Sequence, residues 1–225
     1  RVRIKDSTRF DLPERLREHF CGYGGKVTSA AAACIQYEFD VKSGKILDID
    51  FTSAKRTDYQ DAREKADDIQ RGDLVIRDLG YFTSDVVKKV IKKKAFFISR
   101  LHSKLLIFNE DEKIISFSRL YDKMISKKQS HLEMQVLIGQ KEKIPVRLVI
   151  DIMPEEVYQK RVVMARKESK KKGYQTNDEF MARAHFNLLI TNIPLIDVSS
   201  IQVYQIYKIR WQIELVFKIW KTTCG

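Results

Sequence analysis

The sequence predicts a mixed α/β fold, a sheet flanked by helices, on three observations. Short runs that are apolar or alternate apolar with polar residues recur through the first part of the chain, at 2–6, 33–41, 46–51, 73–78 and 95–99. Between them, 58–70 and 85–93 carry apolar residues at helical spacing. Two of the strand-like runs stop on a carboxylate, Asp6 and Asp78, and a helical stretch near the other end of the chain carries a third, Glu214.

Taken in order, residues 2–6 alternate and predict a first strand ending near Asp6, ahead of Ser7 and Thr8. Leu16 and Phe20 have helical spacing, so a helix is expected over 13–20, broken by Gly22, Gly24 and Gly25. The runs 33–41 and 46–51 flank the turn Lys42-Ser-Gly-Lys45 and read as an antiparallel hairpin. A charged helix over 58–70 has Ala62, Ala66 and Ile69 on its buried side and ends at Gly72. The strand 73–78 leads into Leu79-Gly-Tyr81, and Thr83 or Ser84 caps a helix over 85–93 with Val86, Val87, Val90 and Ile91 as core residues. The strand 95–99 follows. Strand, hairpin, helix, strand, helix, strand and a late carboxylate-bearing helix is the element order of the ribonuclease-H-like fold.

From 103 to 195 the character changes. Short strands or irregular segments are expected at 105–108 and 113–118, and longer strands at 132–138 and 144–152, joined near Gly139. A lysine-rich helix over 154–172 ends at Gly173, a short helix covers 177–184, and the strand 186–192 stops before Pro194. This region reads as a β-rich insertion with a basic helix, dividing the core into 1–102 and 196–225. The chain opens at Arg1 without an initiator methionine and stops at Gly225, directly after a helix, which reads as a piece of a longer protein.

Forty-two Lys and Arg against 30 Asp and Glu give 225 residues a net charge of +12, which points to a polyanionic partner. Nucleic acid is the first candidate and an anionic membrane surface the second. The runs 160–172 and 88–94 are densely basic and suit a DNA backbone or a solvated helix face. With no bilayer-length apolar run and no signal-like start, a cytoplasmic protein is expected. Cys21, Cys34 and Cys224 are odd in number and, like His19, His102, His131 and His185, lack the spacing of a zinc site.

The stretch 207–221 has no proline or glycine and reads as one continuous helix, with Ser199 and Ser200 available to cap its start. At helical periodicity Tyr207, Arg210, Glu214 and Lys221 fall within an arc of about 60°, next to an apolar face of Ile206, Ile209, Ile213, Val216, Phe217 and Trp220. Carboxylates at strand ends lie where open α/β sheets gather ligands. Asp6, Asp78 and Glu214 together suit hard divalent ions, since like charges collected in one place need a cation between them. Asp48 and Asp50 alternate onto one face of the hairpin and suit a solvated surface, and Asp73 sits at the entry end of its strand.

The triplet Asp6-Ser7-Thr8, the turn Asp78-Leu-Gly-Tyr81, the run Leu188-Leu-Ile-Thr-Asn-Ile-Pro194 and Tyr207-x2-Arg210-x3-Glu214-x6-Lys221 resemble the DDE transposases of bacterial insertion sequences, more narrowly the IS-four family. The resemblance implies a ribonuclease-H-like core interrupted by an insertion, with Asp6, Asp78 and Glu214 as the metal-binding catalytic triad. It implies two Mg²⁺ ions, for which Mn²⁺ substitutes, and cleavage of transposon ends with joining of the freed 3′-hydroxyl to target DNA. Tyr207, Arg210 and Lys221 would contact DNA, and two subunits would act together on it. A ribonuclease-H-like nuclease or resolvase, or a transposase-derived protein that only binds DNA, are the alternatives.

Overall fold

Strand β1 (Val2–Asp11) is the spine of the first of two units into which the chain folds, Arg1–Ser99 with Tyr204–Gly225. The second unit is Arg100–Val203, and the computed structural model describes residues 1–24, 30–102, 105–173 and 178–224. In the first unit β1 pairs antiparallel with β2 (Ala32–Asp40), and β2 pairs antiparallel with β3 (Ile46–Ser53). On its other side β1 pairs parallel with β4 (Leu74–Arg77), which pairs parallel with β5 (Phe96–Arg100). The order β3-β2-β1-β4-β5 is a mixed sheet flanked by helices, consistent with the ribonuclease-H-like arrangement that the sequence predicts.

Alternation along β1 gives the sheet two different faces. Arg3, Lys5 and Ser7 lie toward helix α1 (Asp58–Glu64), where Lys5 Nζ is 2.6 Å from Asp61 and Ser7 Oγ donates to Asp58 at 2.7 Å. Ile4, Asp6, Thr8 and Phe10 lie toward α7 (Trp211–Cys224). There Tyr37, the β2 partner of Asp6, packs edge-on against Phe217 and Trp220. Trp220, expected on the apolar face, is half-buried there. Helix α2 (Ser84–Lys92), capped by Thr83, makes the crossover from β4 to β5 with Val86, Val87 and Val90 buried.

The α1 face carries a buried ionic layer. Arg3 and Arg77 both hold Glu38, at 2.9 Å each, and Arg3 also reaches Asp73. Lys5 is shared by Asp61 and Asp48, and Asp48 also binds Lys65. This overturns the solvated reading of Asp48, which belongs to the ion-pair layer, while Asp50 lies 3.7 Å from Arg56. The polar half of the β1 alternation, Arg3 and Lys5, is buried in this layer and not in water, which alternation alone does not distinguish.

In the second unit β9 (Phe186–Thr191), β8 (Ile144–Ile152), β7 (His131–Ile138) and β6 (Ile107–Phe108) pair antiparallel in that order. The basic helix α4 (Glu155–Lys172) ends on the positive-φ Gly173. Its Tyr158 stacks on His185 at 3.6 Å, and Tyr121 stacks on the same ring at 3.9 Å. His131 binds Asp151 through Nδ1 and Ser200 through Nε2, tying β7 and β8 to the start of α6 (Ser200–Lys208).

Four expected elements differ. The first strand runs on past Asp6 to Asp11, because β2 continues to pair with it as far as Ala32. The helix expected over 13–20 is a single 3-10 turn, Glu14–Leu16, since Phe20 is drawn to the sheet by Phe51 and by the Ala32 amide. The run 113–118 has one isolated bridge, Ile114 to Phe108, and then turns helical. Ser116 caps helix α3 (Phe117–Ser126), and the Glu179 carboxylate of α5 (Asp178–Ala184) accepts from the Ser116 hydroxyl and the Phe117 amide. Finally, 207–221 is two helices. Ile209, Arg210, Gln212 and Ile213 donate three residues back instead of four, so α6 closes at Lys208 and α7 opens at Trp211.

Candidate active site

Asp6 and Asp78 emerge side by side because of strand register. The parallel pairing of β1 with β4 ends at Lys5↔Arg77, so the next residue on each strand is one of the two aspartates. β1 carries on, whereas Asp78 leaves the sheet into a 3-10 turn, Leu79–Tyr81. The sheet opens there, at the carboxyl ends of parallel strands.

The third carboxylate comes from α7. The Arg210 guanidinium, at the break before that helix, donates to Asp6 Oδ2 at 3.1 Å and to Glu214 one turn on. Arg210 therefore stands between the first and third carboxylates as their counter-charge. Its pKa lies above the usual arginine value: burial pulls it down, but Tyr207, Asp78 and Glu214 outweigh that. Tyr207, expected on the polar stripe, is buried, with its ring about 6.0 Å from the Arg210 carbon. It backs the guanidinium where the helix breaks. Lys221 is exposed at the far end of α7, its ammonium 5.8 Å from the Phe10 ring centroid. Trp211 is exposed.

Asp6 is held at a cost. Burial pushes its carboxyl up to about 6, and the neighbouring Asp78 and Asp58 add to that push, while the Ser7 amide and Arg210 oppose it. Three carboxylates in such surroundings suit a hard divalent cation. Among the described residues, however, no three His, Cys, Asp or Glu side chains stand close enough together, as placed, to hold one ion.

A stability prediction follows from the sign of that shift. A carboxyl whose folded pKa is about 6 against 3.8 binds more protons in the folded state between those values, so its ionisation costs stability as pH rises through that window. The full cost, at most about 3 kcal/mol, is present above about pH 6. Asp6→Asn is expected to be more stable than the wild type by about 1–2 kcal/mol at neutral pH in chelator, with the advantage gone near pH 4. Urea unfolding of both proteins across pH measures it, and an equal difference at both ends would contradict it.

Sequence reasoning missed Asp58 and Gln36, which lie behind the two aspartates. Asp58 Oδ1 accepts from Ser7 Oγ at 2.7 Å and from Gln36 Nε2 at 3.2 Å, and Gln36 accepts from the hydroxyl of the fully buried Tyr81. A polar Gln36 between the apolar Ile35 and Tyr37 was the available signal, but its partners are distant in sequence.

The first unit is thus a mixed sheet with two aspartates side by side where its parallel pairing ends, and a glutamate linked to one of them through Arg210. Over residues 1–225 the chain matches the family described as "Transposase DDE domain", and it belongs to that family. It is 30% identical over 99% of its length to the transposase for insertion sequence element IS231E of Bacillus thuringiensis subsp. finitimus, of which it covers 49%. It is 29% identical to the transposase for IS231F of Bacillus thuringiensis subsp. israelensis and to that for IS1151 of Clostridium perfringens, covering 50% of each. The chain thus spans about half the length of the curated relatives it matches. Among the described residues no helix is long and apolar enough to cross a membrane.

Proposed function

We propose that the chain carries the catalytic centre of a DNA transposase of the IS-four type, cutting transposon ends and joining them to target DNA. The observation that carries the reading is the register step that sets Asp6 beside Asp78, with Glu214 held to Asp6 through Arg210. Membership of the DDE transposase family supports it.

On this reading Asp6, Asp78 and Glu214 hold divalent ions, Mg²⁺ by preference with Mn²⁺ as substitute. Two such ions would supply an activated water or 3′-hydroxyl and charge stabilisation at the leaving oxygen. The protein's own part is to exchange counter-charges. Arg210 neutralises Asp6 and Glu214 while DNA is absent. An arriving phosphate takes the guanidinium in a bidentate contact and leaves the carboxylates to their ions. Tyr207 keeps the guanidinium side chain in place, and exposed Lys221 adds a point charge for the backbone further along. The basic helix α4 is a second place for phosphates, and two copies would act together on paired ends.

The test is the full-length protein containing this chain, on DNA bearing the element's ends. Nicking and joining are expected with Mg²⁺ or Mn²⁺ and not with chelator. Cutting without joining would replace the transposase reading by a nuclease. Arg210→Ala is expected to weaken end binding roughly tenfold or more with the fold intact. Unchanged binding at moderate salt would remove Arg210 from the DNA contact.

A further inference from the structure

Asp6 lies within β1 and Asp78 just past the end of β4, and register alone sets only their backbones. What fixes the Asp6 strand and the Asp78 turn against each other is a set of contacts behind them, centred on Asp58, the first residue of α1. Its Oδ1 holds Ser7, the residue after Asp6, and Gln36; Gln36 in turn holds Tyr81, the end of the turn that begins at Asp78. The contact is closed a second time through Gly80. A Cβ there would lie 2.9 Å from Asp58 Oδ2 and 3.2 Å from the Asp58 Cβ, so the Asp78–Tyr81 turn rests directly on this carboxylate. The Ser of the first motif and the Gly of the second thereby share one partner, and the Tyr is joined to it through Gln36. Thr57 and Gln60 form a reciprocal cap at the same helix start, which holds Asp58 still.

We propose that Asp58 is a positioning residue for the candidate centre: it clamps the Asp6 strand and the Asp78 turn at one spacing, so that both carboxylates are set before any ion binds. Its negative charge is a cost, because it adds to the repulsion on Asp6. The hydrogen bonds themselves need only an oxygen acceptor at Oδ1, which asparagine also has. The inference rests on the metal-site reading above for its effect on ions, but the clamp itself can be measured without them.

The experiment compares full-length wild type with Asp58→Ala, Asp58→Asn and Ser7→Ala by two readouts. In chelator, amide hydrogen exchange is expected to rise in Asp58→Ala at 6–8 and at 78–82 together, with β4 and β5 unchanged, and Asp58→Asn is expected to restore both. With Mn²⁺, binding measured by electron paramagnetic resonance is expected to weaken about 10–100-fold in Asp58→Ala, the range for groups that orient metal ligands. Ser7→Ala, which removes one link and no charge, is expected to fall between wild type and Asp58→Ala in both. It also serves where Asp58→Ala fails to fold. Exchange that rises at only one of the two segments, or at neither, overturns the clamp. If exchange behaves as expected while wild type and Asp78→Ala bind Mn²⁺ equally, the metal-site reading fails and the clamp stands. If Mn²⁺ binding needs Asp78 but is the same in wild type, Asp58→Ala and Ser7→Ala, the positioning role is overturned.

Discussion

Glu38→Ala is expected to destabilise the first unit by about 3–5 kcal/mol, the range for removing one member of a buried ion pair. Glu38 is fully buried and accepts from two guanidinium groups, Arg3 at 2.9 and 3.1 Å and Arg77 at 2.9 Å. Arg3 keeps Asp73 and the Asp68 carbonyl when Glu38 is lost. Arg77 is the more exposed to the loss in energetic terms, because its Nε and Nη1 already lack a hydrogen-bond partner and it has no solvent contact. The two arginines hold the Glu38 carboxyl down at about 2 against the desolvation that would raise it. A folded pKa below the unfolded one stabilises above about pH 4.5, and that stabilisation disappears as pH falls through about 2. Urea midpoints at pH 7 and pH 3 measure both parts. A loss under about 1 kcal/mol at neutral pH would mean that water reaches Arg77 in the variant. Glu38→Met with Arg77→Leu is expected to recover only part of the loss: it removes the unpaired Arg77 charge, but Arg3 Nε and Nη2 still lose their partner.

That layer also marks where the sequence stops being informative. Alternation at Arg3, Lys5, Glu38 and Asp48 is enough to predict strands, and the fold class followed from it. Alternation does not say what covers the polar side, and here α1 covers it, with Asp61 turned inward onto Lys5. The same limit applies around the candidate centre. Asp6, Asp78 and Glu214 could be picked out as candidates from the sequence, because the alternation, the Asp78 turn and the helical stripe are all local patterns. Asp58 could not be, because its partners Ser7, Gln36 and Gly80 meet it only after three separate segments fold together. The break at Ile209 and Arg210 has no glycine or proline to announce it, and it coincides with Arg210 reaching Asp6 some two hundred residues away in the chain. Helix α3 is a milder case: Phe117, Leu120 and Met124 have helical spacing, but the adjacent Ile114 and Ile115 imitate a strand.

In the full-length protein carrying this chain, Asp78→Ala and Glu214→Ala are each expected to lower metal-dependent cleavage of end DNA by more than about 100-fold. Loss of groups that merely orient metal ligands costs 10–100-fold, and a direct ligand should cost more. Misfolding is a poor explanation for such a loss. Asp78 makes no side-chain capping bond and pushes the Asp6 carboxyl upward, so removing it relieves repulsion. Glu214 is one-third exposed and binds Arg210, which keeps Asp6 as a partner in Glu214→Ala. Both variants are therefore expected to unfold within about 1 kcal/mol of wild type and to bind end DNA as wild type does. The double variant is expected to be no worse than either single one, because groups that act as a unit are not additive. Gel-shift binding and cleavage measured on the same preparations decide it. Wild-type cleavage in both single variants would remove the triad, and lost binding in both would move these carboxylates from chemistry to the DNA contact itself.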